Sequence, residues 1–108
     1  MDNKNRFYVV LDVNANIIAF EGLATSISGY TASEVIGRNW FELFIPHGNL
    51  QEMLGVFTSF LDGNLSFWEY NNEITCKDGT RQLIRWKNSL RRDVDGIPVS
   101  IHSEGTLL

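Results

Sequence analysis

The segment Gly29 to Pro46 (Gly-Tyr-Thr-Ala-Ser-Glu-Val-Ile-Gly-Arg-Asn-Trp-Phe-Glu-Leu-Phe-Ile-Pro) constrains the fold more than any other part of the chain. Glycines at 29 and 37 and a proline at 46 leave space only for very short helices between them. Thr31 and Glu34 have the Ser/Thr-x-x-Glu spacing of a capping box, in which the hydroxyl serves an orphan amide at the helix start and the carboxylate reaches back. The helix they open can last only until Gly37. Few folds need such a run.

The flanking segments supply a sheet. Phe7 to Asp12 alternates well enough for a first strand and Ile17 to Glu21 for a second, with Asn14-Ala15-Asn16 as the turn, because Asn tolerates the positive φ of hairpin turns. Short helices are expected over residues 23 to 28 and 32 to 36, with a single turn from Trp40 to Phe44. Gly48 to Leu61 carries the one sustained helical period, with Leu50, Met53, Leu54, Phe57 and Phe60 or Leu61 recurring at three and four, until Asp62-Gly63-Asn64 stops it. Phe67 to Cys76, Gln82 to Arg92 and Ile97 to Glu104 then read as strands joined by Lys77-Asp78-Gly79 and Asp95-Gly96 turns.

A chain of 108 residues makes one domain with one core. No apolar run approaches the roughly 20 residues that cross a bilayer. The polar start Met1-Asp2-Asn3-Lys4-Asn5-Arg6 has no apolar h-region, so a cytoplasmic location without membrane contact is expected. Cys76 is the single cysteine, which excludes an internal disulfide and a Cys-x-x-Cys zinc site.

A net charge of −4 argues against nucleic-acid binding, which leaves a strongly basic footprint. Six of the nine cations, Lys77, Arg81, Arg85, Lys87, Arg91 and Arg92, nonetheless fall between residues 77 and 92. Arg81, Leu83, Arg85, Lys87, Ser89 and Arg91 are alternate residues of one strand and so share a face, read as a solvated or partner-facing sheet surface. The opposite face carries Gln82, Ile84, Trp86, Asn88 and Leu90, which sets two amides on the side of the apolar residues. Unpaired, a buried amide costs roughly 1–3 kcal/mol, so Asn88 needs a partner: a ligand, the backbone or another side chain. Thirteen aromatic residues suffice either to line a cavity or to fill a core. No Gly-x-Ser-x-Gly, Walker loop, His-Glu-x-x-His or dinucleotide fingerprint occurs, and Asp93 and Asp95 flank a turn, so no catalytic residues and no enzymatic activity are assigned to this domain.

The order of elements, Gly29-Tyr30 followed by Glu34-Val35-Ile36-Gly37, and Lys77-Asp78-Gly79 with Trp86, resemble a PAS sensory domain of a bacterial signalling protein over nearly the whole chain. Gly105-Thr106 is similar to the family's Gly-Thr-Asp-Ile-Thr ending, from which Leu107 and Leu108 depart. Glu21 stands where many members carry Asn. The resemblance implies an α+β fold, a five-stranded antiparallel sheet in the order 2-1-5-4-3 covered on one face by short helices and one longer connecting helix. Residues 1–6 are then a tail, and residues 107–108 begin a linker in a chain that continues.

The family's flavin photosensors use a cysteine in a Gly-x-Asn-Cys-Arg-Phe-Leu-Gln helix, and Glu42 to Leu54 has none, so flavin is not expected; photoactive-yellow-type chromophores fail likewise. Haem-binding members take a histidine from the connecting helix, and His47 stands nearly a turn too early for that role. His102 alternates with Ile101 and faces away from the cavity. No metal site is expected. The resemblance places a ligand pocket between helices and sheet, bounded here by Trp40, Phe44, Met53, Phe57, Tyr70, Trp86 and Asn88, its ligand unidentified. It further implies an output domain in cis, a diguanylate cyclase or histidine kinase, and a weak homodimer through the outer sheet face and the residues before Phe7. The alternative is a ligand-free interaction module with a self-filled core.

Overall fold

The computed structural model describes residues 5–108; the rest of the expected tail, residues 1–4, and its expected part in a dimer lie outside the described residues. Strands β1 (Phe7–Asp12) and β2 (Ile17–Gly22) lead into helices α1 (Ala24–Ser28), α2 (Ala32–Val35), α3 (Trp40–Phe44) and α4 (Leu50–Leu61). Strands β3 (Glu69–Thr75), β4 (Arg81–Arg92) and β5 (Pro98–Leu107) follow. The five strands form one antiparallel sheet in the order β2-β1-β5-β4-β3, as the resemblance implies.

Register decides which side chains meet the helices. Trp86 lies between Tyr70 and Gly105, and Asn88 is opposite Ser103, so these side chains share the inner face. Phe7, on the same face, is fully buried at the centre of an aromatic cluster. Its ring meets Phe20, Trp40 and Trp86 edge-on at centroid distances of 5.4, 6.2 and 5.2 Å.

The short helices are fastened to the sheet by specific hydrogen bonds. Asn39 caps α3, its Oδ1 accepting from the Phe41 and Glu42 N–H groups at 2.9 and 3.3 Å while its Nδ2 donates to the Asn14 carbonyl. The Thr31–Glu34 capping box opens α2. The same Glu34 carboxylate takes the Lys77 ammonium from the β3–β4 turn. That turn also holds α1: Lys77 N–H donates to the Ser28 carbonyl at 2.8 Å, and Cys76 Sγ to the Ile27 carbonyl at 3.3 Å. The approach is close enough that a Cβ at Gly29, itself at φ 84°, would stand 3.3 Å from the Lys77 Cβ.

Three local expectations change. The left-handed residue in the β1–β2 turn is Ala15, at φ 66°, rather than an asparagine. Its methyl is buried and its carbonyl accepts from the Trp40 N–H at 2.9 Å, so core packing and this bond override the asparagine preference. The strand expected from Phe67 begins at Glu69, because Leu65–Phe67 form a 3₁₀ turn in which Asn64 Oδ1 accepts from the Ser66 N–H. At the other end β5 includes Leu107, paired with Ile84, so residue 107 belongs to the sheet.

Candidate ligand cavity

A cavity of about 80 Å³ lies between the inner face of the sheet and helices α3 and α4. Its floor is Val9 and Leu11 of β1, Ile101 and Ser103 of β5, Trp86 and Asn88 of β4, and Tyr70 and Asn72 of β3. Trp40 and Phe41 close one side, and Met53, Val56, Phe57 and Phe60 of α4 form the roof, with Phe67 at the edge. The wall is thus largely apolar with a few amide and hydroxyl groups, the composition of a small-molecule pocket.

The roof is the least firmly packed part. Among its described residues α4 buries only Phe60, while Met53, Val56 and Phe57 are half-buried. Leu54, counted in the apolar period of the sequence, is 37% exposed, and Val56 takes its place toward the cavity. A twelve-residue helix normally gains its stability by burying an apolar face. Here much of that face spans a void.

Six of the seven residues expected to bound a pocket line this cavity: Trp40, Met53, Phe57, Tyr70, Trp86 and Asn88. Phe44 does not. It is fully buried behind Trp40, its ring 4.5 Å from that indole and 5.4 Å from Tyr30, so it belongs to the aromatic core. Asn88 faces inward and is satisfied by the protein, its Nδ2 donating to the Phe67 carbonyl at 3.0 Å and its Oδ1 accepting from Ser103 Oγ at 2.6 Å. The partner that the sequence demanded for Asn88 is therefore a backbone group and a side chain together.

Two polar residues of the wall escaped the sequence reading. Ser103 is one. Asn72 is the other, and its Oδ1 is buried with no hydrogen-bond partner among the described residues. Strand alternation, which assigns Tyr70 and Ile74 to the inner face, was the signal available for Asn72. The Tyr70 hydroxyl points away to Glu52, donating at 3.4 Å; burial and that carboxylate push its pKa up.

The other candidates lie outside the cavity wall. His47 is exposed in a 3₁₀ turn ahead of α4. Cys76 is buried, and burial pushes its thiol pKa up, so it sits as an unreactive packing residue. Glu21 is exposed on β2. His102 faces the outer side, where the Tyr8 hydroxyl meets its Nδ1 at 2.7 Å and Ser100 Oγ its Nε2 at 3.2 Å. Among the described residues no group of His, Cys, Asp and Glu could hold a metal ion, and no helix is long and apolar enough to cross a membrane.

No protein-family model matches the sequence, and neither does any curated protein. Solved structures do match. The PAS domain of the Cronobacter turicensis RpfR quorum-sensing receptor in complex with BDSF is 27% identical, with a TM-score of 0.71 and coverage of 96% of this chain and 94% of that one. The chain is a PAS domain. The same receptor domain in complex with C12:0 superposes with a TM-score of 0.74 at 26% identity, over the same shares of both chains. A PAS domain from Colwellia psychrerythraea reaches a TM-score of 0.81 at 17% identity, covering 95% of this chain and 86% of that one, a likeness of fold. In this PAS domain the sheet order, the short-helix run and the connecting helix α4 all take the positions that the family resemblance implies.

Proposed function

We propose that this PAS domain is a sensor whose internal cavity takes a small, largely apolar ligand and whose occupancy is passed to an output domain in cis. One observation carries the reading: a void between sheet and helices, walled by apolar and aromatic side chains and roofed by a loosely packed helix. The RpfR receptor domain, similar along almost its entire length, is described in complex with BDSF and with C12:0, which supports a ligand here as well. A ligand in the cavity would touch β5 through Ile101 and Ser103, and β5 leads toward the C-terminus. By family resemblance the output is a diguanylate cyclase or a histidine kinase.

The outer sheet face supports a second role, weak self-association. Leu83 is 44% exposed there among Arg81, Arg85 and Lys87. An apolar residue ringed by charge is the make-up of a small polar-rimmed contact.

Val56→Phe tests the ligand reading, because it places a ring in the void from a half-buried position on α4. Compounds that raise the melting temperature of the native chain in a small-molecule screen lose that effect on the variant. Binders that stabilise both proteins equally would place the ligand site elsewhere and overturn the reading.

A further inference from the structure

We propose that the ligand is a small neutral molecule whose hydroxyl or amide group bonds to the Asn88–Ser103 pair in the cavity wall; this rests on the cavity reading above. Asn88 of β4 and Ser103 of β5 are register partners on the inner face, and both line the cavity. The Nδ2 of Asn88 donates to the Phe67 carbonyl at 3.0 Å. That bond fixes the amide, because turning it over would set two acceptor oxygens against each other. Oδ1 therefore faces Ser103, and at 2.6 Å it accepts the proton of the Ser103 hydroxyl. The bonding capacity of the pair is then only partly used. One Nδ2 hydrogen is left, together with lone pairs on Asn88 Oδ1 and Ser103 Oγ. A group that both donates and accepts matches that set, as a hydroxyl or an amide does.

The rest of the wall narrows the chemistry. None of the residues lining the cavity is a Lys, Arg, His, Asp or Glu, so an ionic ligand would be desolvated there without a counter-charge. A carboxylate would moreover set its oxygens against the two acceptors of the pair. The other polar groups offer less. Oδ1 of Asn72 has essentially no accessible surface, and the Tyr70 hydroxyl is directed to Glu52. Val9, Leu11, Phe57, Trp86 and Ile101 supply an apolar surround for the remainder of the molecule. Size sets the last limit. A cavity of about 150 Å³ holds benzene, so one of about 80 Å³ suits roughly three to five heavy atoms unless α4 yields.

The test compares 1-butanol with its isomer methyl propyl ether, which has the same atoms but only accepts, and with butyrate. Each is titrated into the 108-residue chain and followed by backbone amide NMR shifts at Leu11, Trp86 and Ile101. An alcohol gives up more hydration than an ether on entering an apolar space, so without a bond to the wall the ether binds tighter. With the bond, the alcohol is expected to bind about tenfold tighter than the ether, and butyrate not at all. One Asn88 Nδ2 proton then moves downfield with the alcohol and stays with the ether. In Ser103→Ala/Asn88→Leu the order of alcohol and ether reverses. An ether that binds the native chain as tightly as the alcohol, the result also expected if a bound water keeps the pair, would overturn this recognition while leaving the cavity reading intact; so would butyrate binding as tightly as the alcohol. Failure of both neutral probes to shift the backbone amides would overturn the cavity reading and this proposal with it. The native chain decides through the affinity order and the Asn88 side-chain signal even if the double variant fails to fold.

Discussion

Glu34 gathers three donors on one carboxylate: the Thr31 N–H at 2.8 Å, the Thr31 hydroxyl at 3.2 Å and the Lys77 ammonium. The Lys77 bond first, and the Thr31 N–H after it, hold its pKa at about 2 against an ordinary 4.5. A carboxylate depressed on folding stabilises the fold above its unfolded pKa, and that contribution is lost as pH falls from 4.5 toward 2. Because the carboxylate is open to solvent, its pKa is the observable to follow. In Lys77→Ala the Glu34 carboxyl is expected to titrate higher by NMR while staying below 4.5, because the Thr31 bonds remain; a pKa that stayed near 2 would assign the shift to Thr31 alone. His102 works in a different window. Burial, then the charge of Arg91, lowers its pKa below 6.5, so the folded chain binds this proton less readily than the unfolded chain. Stability therefore falls as pH drops below 6.5 and is level above it. Urea denaturation at pH 7.5 and 5.5 will show the loss in the native chain and a smaller one in His102→Gln; identical losses in both would remove His102 as the cause.

Among the elements, β5 has the most demanding local fit. A Cβ at Gly105 would stand 2.7 Å from both Ile84 Cγ2 and Trp86 Cζ3, so the Trp86 indole lies directly over this glycine. Gly105→Ala must push that ring toward the cavity, and overpacking of this kind costs about 1–3 kcal/mol. Thr106→Ala, at an exposed neighbour, should stay within about 0.5 kcal/mol. Urea unfolding that found Gly105→Ala as stable as Thr106→Ala would contradict the packing of Trp86. The Gly105-Thr106 resemblance to the family ending thus has a steric cause that no sequence pattern states. Elements with a strong local signal were legible: the Thr31–Glu34 box, the glycine stops and the period of α4. What escaped depended on tertiary partners. Ala15 accepts a left-handed φ because its methyl is buried and its carbonyl bonds Trp40, and neither fact is local.

For the whole molecule, alternation told which strand residues face inward, and so Tyr70, Trp86 and Asn88 were legible as cavity wall. It does not tell which polar group ends up paired. Ser103 and the Phe67 carbonyl satisfy Asn88, and the buried side-chain atom without a partner among the described residues is Oδ1 of Asn72. Phe44 was misplaced because in a five-residue helix only the tertiary packing shows which side reaches the void. The outer face was read as charged, and register refines this: Lys87 lies between Glu69 and Glu104, so the basic stripe is interleaved with acids. That interleaving lessens the repulsion between two such faces across a two-fold axis. Sedimentation at raised concentration is expected to show a weak dimer that Leu83→Glu dissociates; a monomer at every concentration, unaltered by the substitution, would remove this face as a contact.

The space under α4 is a cavity and not a filled core. Apolar cavities of this kind take up xenon, so a crystal of the chain pressurised with the gas tests it most directly. Xenon density ringed by Leu11, Phe57, Trp86 and Ile101 is the expected result. Side chains packed across that space, with no xenon between them, would contradict it.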